Sequence, residues 1–160
     1  MGDRVQRLTG RLKLQGEKTV ALFRGIPDGA WKLEVYSEGA SWEVKEVLMH
    51  FVSSERGVAR LVSQVVAGGA GVPEDFDLDR YNEGRVDRLE GNSPGDLIDM
   101  FSEARAATID LVITFSDADL NRVGRHPFLG LTTVESMIQM MYRHNQIHQR
   151  DLRRLLSTQT

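Results

Sequence analysis

Apolar positions recur at helical spacing in four stretches of this chain, and glycine and proline mark the breaks between them. The first stretch runs from about Asp3 to Arg24 and carries Val5, Leu8, Leu12, Val20 and Phe23 on one side. Gly10 and Gly16 interrupt it, each a weak helix former by about 1 kcal/mol against alanine. Gly25, Pro27 and Gly29 end it. Trp31 to Gly39 reads as irregular, with Trp31 expected to plug one end of the core.

Ser41 is the expected N-cap of the second helix, whose stripe is Val44, Val47, Leu48, Phe51, Val58, Leu61, Val62 and Val65. The glycine-rich Ala67 to Gly71 stops it. A long loop follows, through PEDFDLDRYNEGRVDRLEGN, of a length that marks functional or folded-over segments. The third helix is expected from Ser93 with Pro94 at its first position; Leu97, Phe101, Ala104, Thr108, Leu111 and Phe115 face inward. Ser116 to Leu120 closes it, and a second loop carries Arg125 to Gly130. Thr132 and Glu135 make a capping box for a fourth helix reaching about Leu156. No segment alternates with period two and no internal repeat is visible. The expected fold class is all-α: a four-helix bundle with long loops between helices 2 and 3 and between helices 3 and 4.

Composition narrows this picture little. A chain of 160 residues fits one domain, 1–160. Hydrophobic residues at 41% and charged residues at 27% are a globular balance. The net charge of −3, with both signs interspersed, gives no electrostatic reason to expect nucleic acid. The absence of cysteine matters more, because it removes disulfides, thiolate ligands and a cysteine nucleophile, and it fits a reducing cytoplasm. The first residues lack the apolar run of a secretory signal, and no stretch is long enough for a membrane span. The chain is therefore expected in the cytoplasm.

The fourth stripe is continuous except at His144 and His148. Four residues apart, they stand one helical turn above the other on the buried face. Two imidazoles at that spacing can chelate one metal ion, although such pairs also occur as hydrogen-bonded core or surface residues. Asn145 lies near the centre of the same arc. His50, at the edge of the second stripe, could supply a third ligand from a neighbouring helix. Glu55 falls near the centre of that stripe, where a carboxylate needs a partner. It could orient a ligand histidine, act as a base, or pair with an arginine such as Arg24 or Arg105. His126 precedes Pro127 and reads as a hydrogen-bonded loop anchor before a catalytic residue. Asp77, Asp79 and Asn82 lack the pattern of a calcium loop and read as loop anchors, with Asn82 near a pocket mouth. Met137, Met140 and Met141 read as core filler.

These residues resemble a family. SWEVKEVLMHF (Ser41 to Phe51), FDLDRYNE (Phe76 to Glu83) and HPFLGLTTVESMIQMMYRHNQIH (His126 to His148), in this order and spacing, resemble the DinB-like superfamily of metal-binding four-helix bundles. The resemblance covers about Trp31 to Leu156. It implies a metal site of one histidine from the second helix and an H-x-x-x-H pair from the fourth, here His50, His144 and His148. It also implies similarity to thiol-dependent S-transferases and mycothiol-dependent maleylpyruvate isomerase-type proteins.

Three readings of function follow. The leading one is a divalent-metal-dependent transferase, using zinc or nickel, that activates a low-molecular-weight thiol as co-substrate at the three-histidine site. The second is a metal-dependent hydrolase using metal-bound hydroxide, with Glu55 as its catalytic base. The third is a non-enzymatic metal-binding stress-response protein. The expected partner is a small-molecule substrate, and a homodimer is compatible with all three.

Overall fold

The computed structural model describes residues 1–159. Four long helices form the bundle: α1 (Asp3–Arg24), α2 (Val44–Val66), α4 (Pro94–Ile113) and α6 (Val134–Ser157). α3 (Leu78–Asp87) and α5 (Asp117–Leu120) lie in the connections. Two short antiparallel hairpins complete it: β1 (Glu34–Ser37) with β2 (Ala40–Glu43), and β3 (Val123–His126) with β4 (Gly130–Thr133). α1 packs against α4 and α6, and α2 packs against the same two. α1 and α2, though joined by one hairpin, thus sit across a diagonal, as do α4 and α6.

The order of elements therefore repeats without a repeat in sequence: long helix, helical turn, hairpin, long helix. Each hairpin delivers the chain into a long helix and supplies its cap. Ser41, expected to cap α2, is held extended by pairing with Tyr36. Glu43 caps instead, in a reciprocal box with Glu46, whose side chain accepts from the Glu43 N–H at 2.7 Å. Thr132 is likewise paired, with Gly124, so Thr133 caps α6 by accepting from the Ser136 N–H. Glu135, freed from the expected box, pairs with Arg4 at 2.6 Å. Ser93 caps α4 as expected, with Pro94 in the first turn.

The long loop after α2 is not structureless. Asp77 accepts from the Arg80 N–H and caps α3. Gly71 fixes the start of the loop against β3: its φ is +89°, and a Cβ there would lie 2.3 Å from backbone atoms of Arg125.

The interior has two apolar clusters, one towards each end of the bundle. Phe23, Val47, Leu48, Phe51, Leu97, Phe101 and Leu152 build one, where Trp31 stacks on Phe23 as a plug. Val5, Leu8, Leu12, Val62, Leu120, Met137 and Ile138 build the other. Each such buried side chain stabilises the fold by roughly 1.5–3 kcal/mol. On all four long helices buried polar residues fall between the two clusters: Gln15 and Thr19, Ser53 and Glu55, Arg105 and Thr108, Asn145, His148 and Gln149, while His50 and Thr9 lie at the level of one cluster or the other. The bundle thus has a polar belt at its waist.

Candidate metal centre

Half of the belt is closed upon itself. Arg105 Nε donates to Glu55 Oε1 at 2.7 Å and Nη2 donates to Oε2 at 2.9 Å, while Nη1 donates to the Leu12 carbonyl at 2.9 Å. Both side chains are 3% exposed. The Arg105 stem crosses α1 at Gly16, where a Cβ would stand 2.9 Å from Arg105 Cγ. Of the two arginines considered from sequence, Arg105 is the partner. Its bidentate grip holds both oxygens of Glu55, the carboxylate that sequence offered as a base.

The other half gathers histidines. His50 on α2 and His144 and His148 on α6 bring one ring nitrogen each to a common point, with these atoms all within 4.8 Å of one another. His148 Nε2 lies 3.1 Å from His144 Nε2, and His50 Nε2 lies 3.4 Å from it. Around zinc at 2.0–2.1 Å, two tetrahedral ligand atoms stand about 3.3 Å apart, so the spacing fits an ion. The rings pack edge to face, and Trp42 lies over His50.

Hydrogen bonding fixes the state of His148. Ser37, the last residue of β1, has one hydroxyl proton, and it donates that proton to Asp151 Oδ2 at 2.6 Å. The same oxygen, 2.8 Å from His148 Nδ1, must then accept from it. A neutral His148 carries its hydrogen on Nδ1 and turns a bare Nε2 lone pair to the centre, the outer-shell arrangement typical of ligating histidines. His50 differs, because its buried Nδ1 has no hydrogen-bond partner. Burial, with the charges of His144 and His148 adding to it, pushes His50 down to about 3 and keeps it neutral, as a ligand must be.

Glu38, which the sequence did not single out, completes the cluster. Its carboxylate Oε2 lies 3.0 Å from both His144 Nε2 and His148 Nε2. Wherever His144, and then His148, carry a hydrogen on Nε2, their hydrogen bonds hold it well below the usual carboxylate range. Nothing in the stretch around it shows this, because only the hairpin turn brings it to α6.

The cluster opens on a cavity of about 840 Å³. Trp42, Val58, Leu61, Phe76 and Met140 give it apolar walls, and Asp79 and Asn82 of α3 also line it. So does His126, which anchors its turn: Nδ1 accepts from the N–H groups of Phe128 and Leu129, both at 3.1 Å. The hydrogen of the neutral ring therefore sits on Nε2, a buried donor without a partner. Burial, then the charge of His144, pushes His126 down to about 4. Asn145 Nδ2 is a second buried, unpartnered polar atom in the same wall. Met137 is fully buried in the core, whereas Met140 and Met141 face the cavity.

Solved structures share this architecture. The chain is similar to YfiT from Bacillus subtilis, described as a probable metal-dependent hydrolase with an unusual four-helix bundle topology; the two are 16% identical over 99% of this chain and 90% of that one, with a TM-score of 0.80. It is similar to a mycothiol-dependent maleylpyruvate isomerase at 15% identity, covering 95% of this chain but only 63% of the longer one, with a TM-score of 0.74. The colibactin self-resistance protein ClbS, solved with a dsDNA, is 15% identical over 94% of this chain and 95% of that one, with a TM-score of 0.71. Identities this low show the fold alone. A comparison with curated proteins returned no match. The family model of the DinB superfamily matches residues 11–152, nearly the whole bundle, and the chain belongs to that superfamily.

Proposed function

We propose that His50, His144 and His148 hold one divalent ion, zinc or nickel, and that the chain is a metal-dependent transferase presenting a low-molecular-weight thiol to an electrophile. The observation that carries this reading is the convergence of three imidazole nitrogens at the wall of a large, mostly apolar cavity. When bound, the ion would lower the pKa of a thiol and fix its sulfur. The chain has no cysteine, so the thiol comes from outside. The mycothiol-dependent relative gives that role a precedent in the same fold.

The remaining tasks belong to side chains. Asp151 and Ser37 hold His148 in one tautomer and orientation. Trp42, Val58, Leu61 and Phe76 surround the body of an apolar electrophile and exclude water. His126 Nε2 and Asn145 Nδ2 can donate to an acceptor oxygen on it, which would relieve two buried, unsatisfied groups. Protein reconstituted with zinc or nickel, then offered bacillithiol, mycothiol or glutathione with a chlorinated aromatic electrophile, is expected to show metal-dependent conjugation. Absence of conjugation with every thiol would overturn the assignment.

YfiT keeps a hydrolase reading in view. It would call on Glu55 as base, and Arg105 would first have to release that carboxylate. This makes it the weaker of the two. A non-enzymatic metal-binding role, in stress response for instance, would show stoichiometric metal without turnover. Homodimerisation through the helices is an expectation that light scattering would check. The expectation of no nucleic-acid partner rested on net charge alone, and ClbS, with its bound dsDNA, removes its support. Among the described residues no helix is long and apolar enough to cross a membrane.

A further inference from the structure

Resting on the metal reading above, we infer that Glu38 is a fourth protein ligand, so that the site is closed at rest and opens when an outside donor atom displaces this carboxylate. With Ser37 committed to Asp151, the hydrogen of a neutral His148 sits on Nδ1, and its bare Nε2 then faces Glu38 Oε2 3.0 Å away. His144 Nε2 faces both of them, at 3.0 and 3.1 Å. A neutral His144 has at most one hydrogen there, enough for one of the contacts. Acceptors this close hold together around a positive charge at their centre. Glu38 stands at that same ligand-to-ligand spacing from two of the three histidines, His144 and His148.

Its mounting differs from theirs. The histidines stand on α2 and α6, packed into the bundle. Glu38 stands at the tip of the β1–β2 hairpin, in a two-residue turn with Gly39. Both turn residues have positive φ, +50° and +80°, the pattern of a type I′ turn that favours asparagine and glycine. A glutamate in the left-handed region is disfavoured by roughly 1–2 kcal/mol, and the contacts of its carboxylate offset that cost. The side chain is about one-third exposed and lies in the cavity wall, so a rotation of its own bonds withdraws the carboxylate without moving a helix. A carboxylate on a turn is thus the exchangeable member of a set whose other members are fixed.

Cobalt(II) bound to the full chain reports both coordination and exchange. Wild type is expected to take one cobalt and to show a four-coordinate visible spectrum. Glu38→Ala and the turn-preserving Glu38→Gln should change that spectrum and weaken cobalt binding by at least about tenfold, since even outer-shell losses have effects of that size. With 2-mercaptoethanol as the probe thiol, both variants should develop the sulfur-to-cobalt charge-transfer band at lower thiol concentration than wild type, because no internal ligand competes. An unchanged spectrum, cobalt affinity and thiol midpoint in Glu38→Gln would overturn the inference and leave the three-histidine site standing. Failure of wild type to bind cobalt would remove both.

Discussion

The waist of this bundle holds two buried polar clusters, and they solve the same problem in opposite ways. Glu55 and Arg105 cancel each other's charge, and three guanidinium donors meet three acceptor atoms, Leu12 carbonyl included. Nothing further is required there. The histidine cluster crowds Glu38 Oε2, His144 Nε2 and His148 Nε2 within 3.0–3.1 Å of one another, and with neutral rings at most one hydrogen is available for the three contacts. It also leaves His50 Nδ1, His126 Nε2 and Asn145 Nδ2 buried without partners. Unsatisfied buried groups cost free energy, and a fold keeps them where a guest completes the set. The first cluster belongs to the architecture, whereas the second has the chemistry of a binding site.

The sharpest way to break this contrast is to unbalance the closed cluster. Arg105→Leu strands a buried carboxylate and should cost about 3–5 kcal/mol in urea unfolding, while Glu55→Leu with Arg105→Leu should recover most of that loss. Equal destabilisation by the single and double variants would show that the pair is not self-sufficient. The open cluster should respond to its guest instead. Chelation should lower stability by about 3 kcal/mol relative to protein at a free metal concentration a hundredfold above Kd, read as a shift in Tm. A Tm indifferent to metal would erase the distinction between the clusters.

Smaller effects sharpen it. Ser37→Ala frees His148 to choose the other tautomer and should weaken metal binding by about 10- to 100-fold, measured by chelator competition. The metal-free chain should also lose stability in acid. His126 titrates at about 4 when folded against an ordinary 6.5, so between these values the unfolded chain takes up a proton that the folded chain refuses. Stability from this residue is complete above about pH 6.5 and declines as pH falls towards 4. Between pH 7 and pH 5 its share is about 1–2 kcal/mol. His126→Gln should flatten the pH dependence of urea stability by that amount, and parallel curves would contradict the assignment.

The parts of this account legible in sequence are those that one helix can show. His144 and His148 interrupt a regular stripe, so their side of α6 is readable from spacing. Asn145 is buried as that wheel placed it, and Glu55 needed the partner it has. His50 sits at a stripe edge and leaned on the family resemblance. What depends on turns was hidden. Ser37 and Glu38 reach the site only through a hairpin whose four-residue strands show too little alternation to be read. The same hairpins moved two helix caps, from Ser41 to Glu43 and from Thr132 to Thr133. Gly16 was visible only as a weakness in α1, since its reason, the Arg105 stem, lies on another helix. The few apolar residues of α3 form no stripe, so its sequence carries no helical signal.

The central claim is that the histidine cluster is built around one divalent ion. Titration of metal-free protein with zinc and nickel against a competing chelator tests it, with wild type and His148→Ala side by side. The account predicts one ion per chain in wild type and an affinity about 100-fold lower, or less, in His148→Ala. A stoichiometry near zero for both metals, or undiminished affinity in the variant, would contradict it.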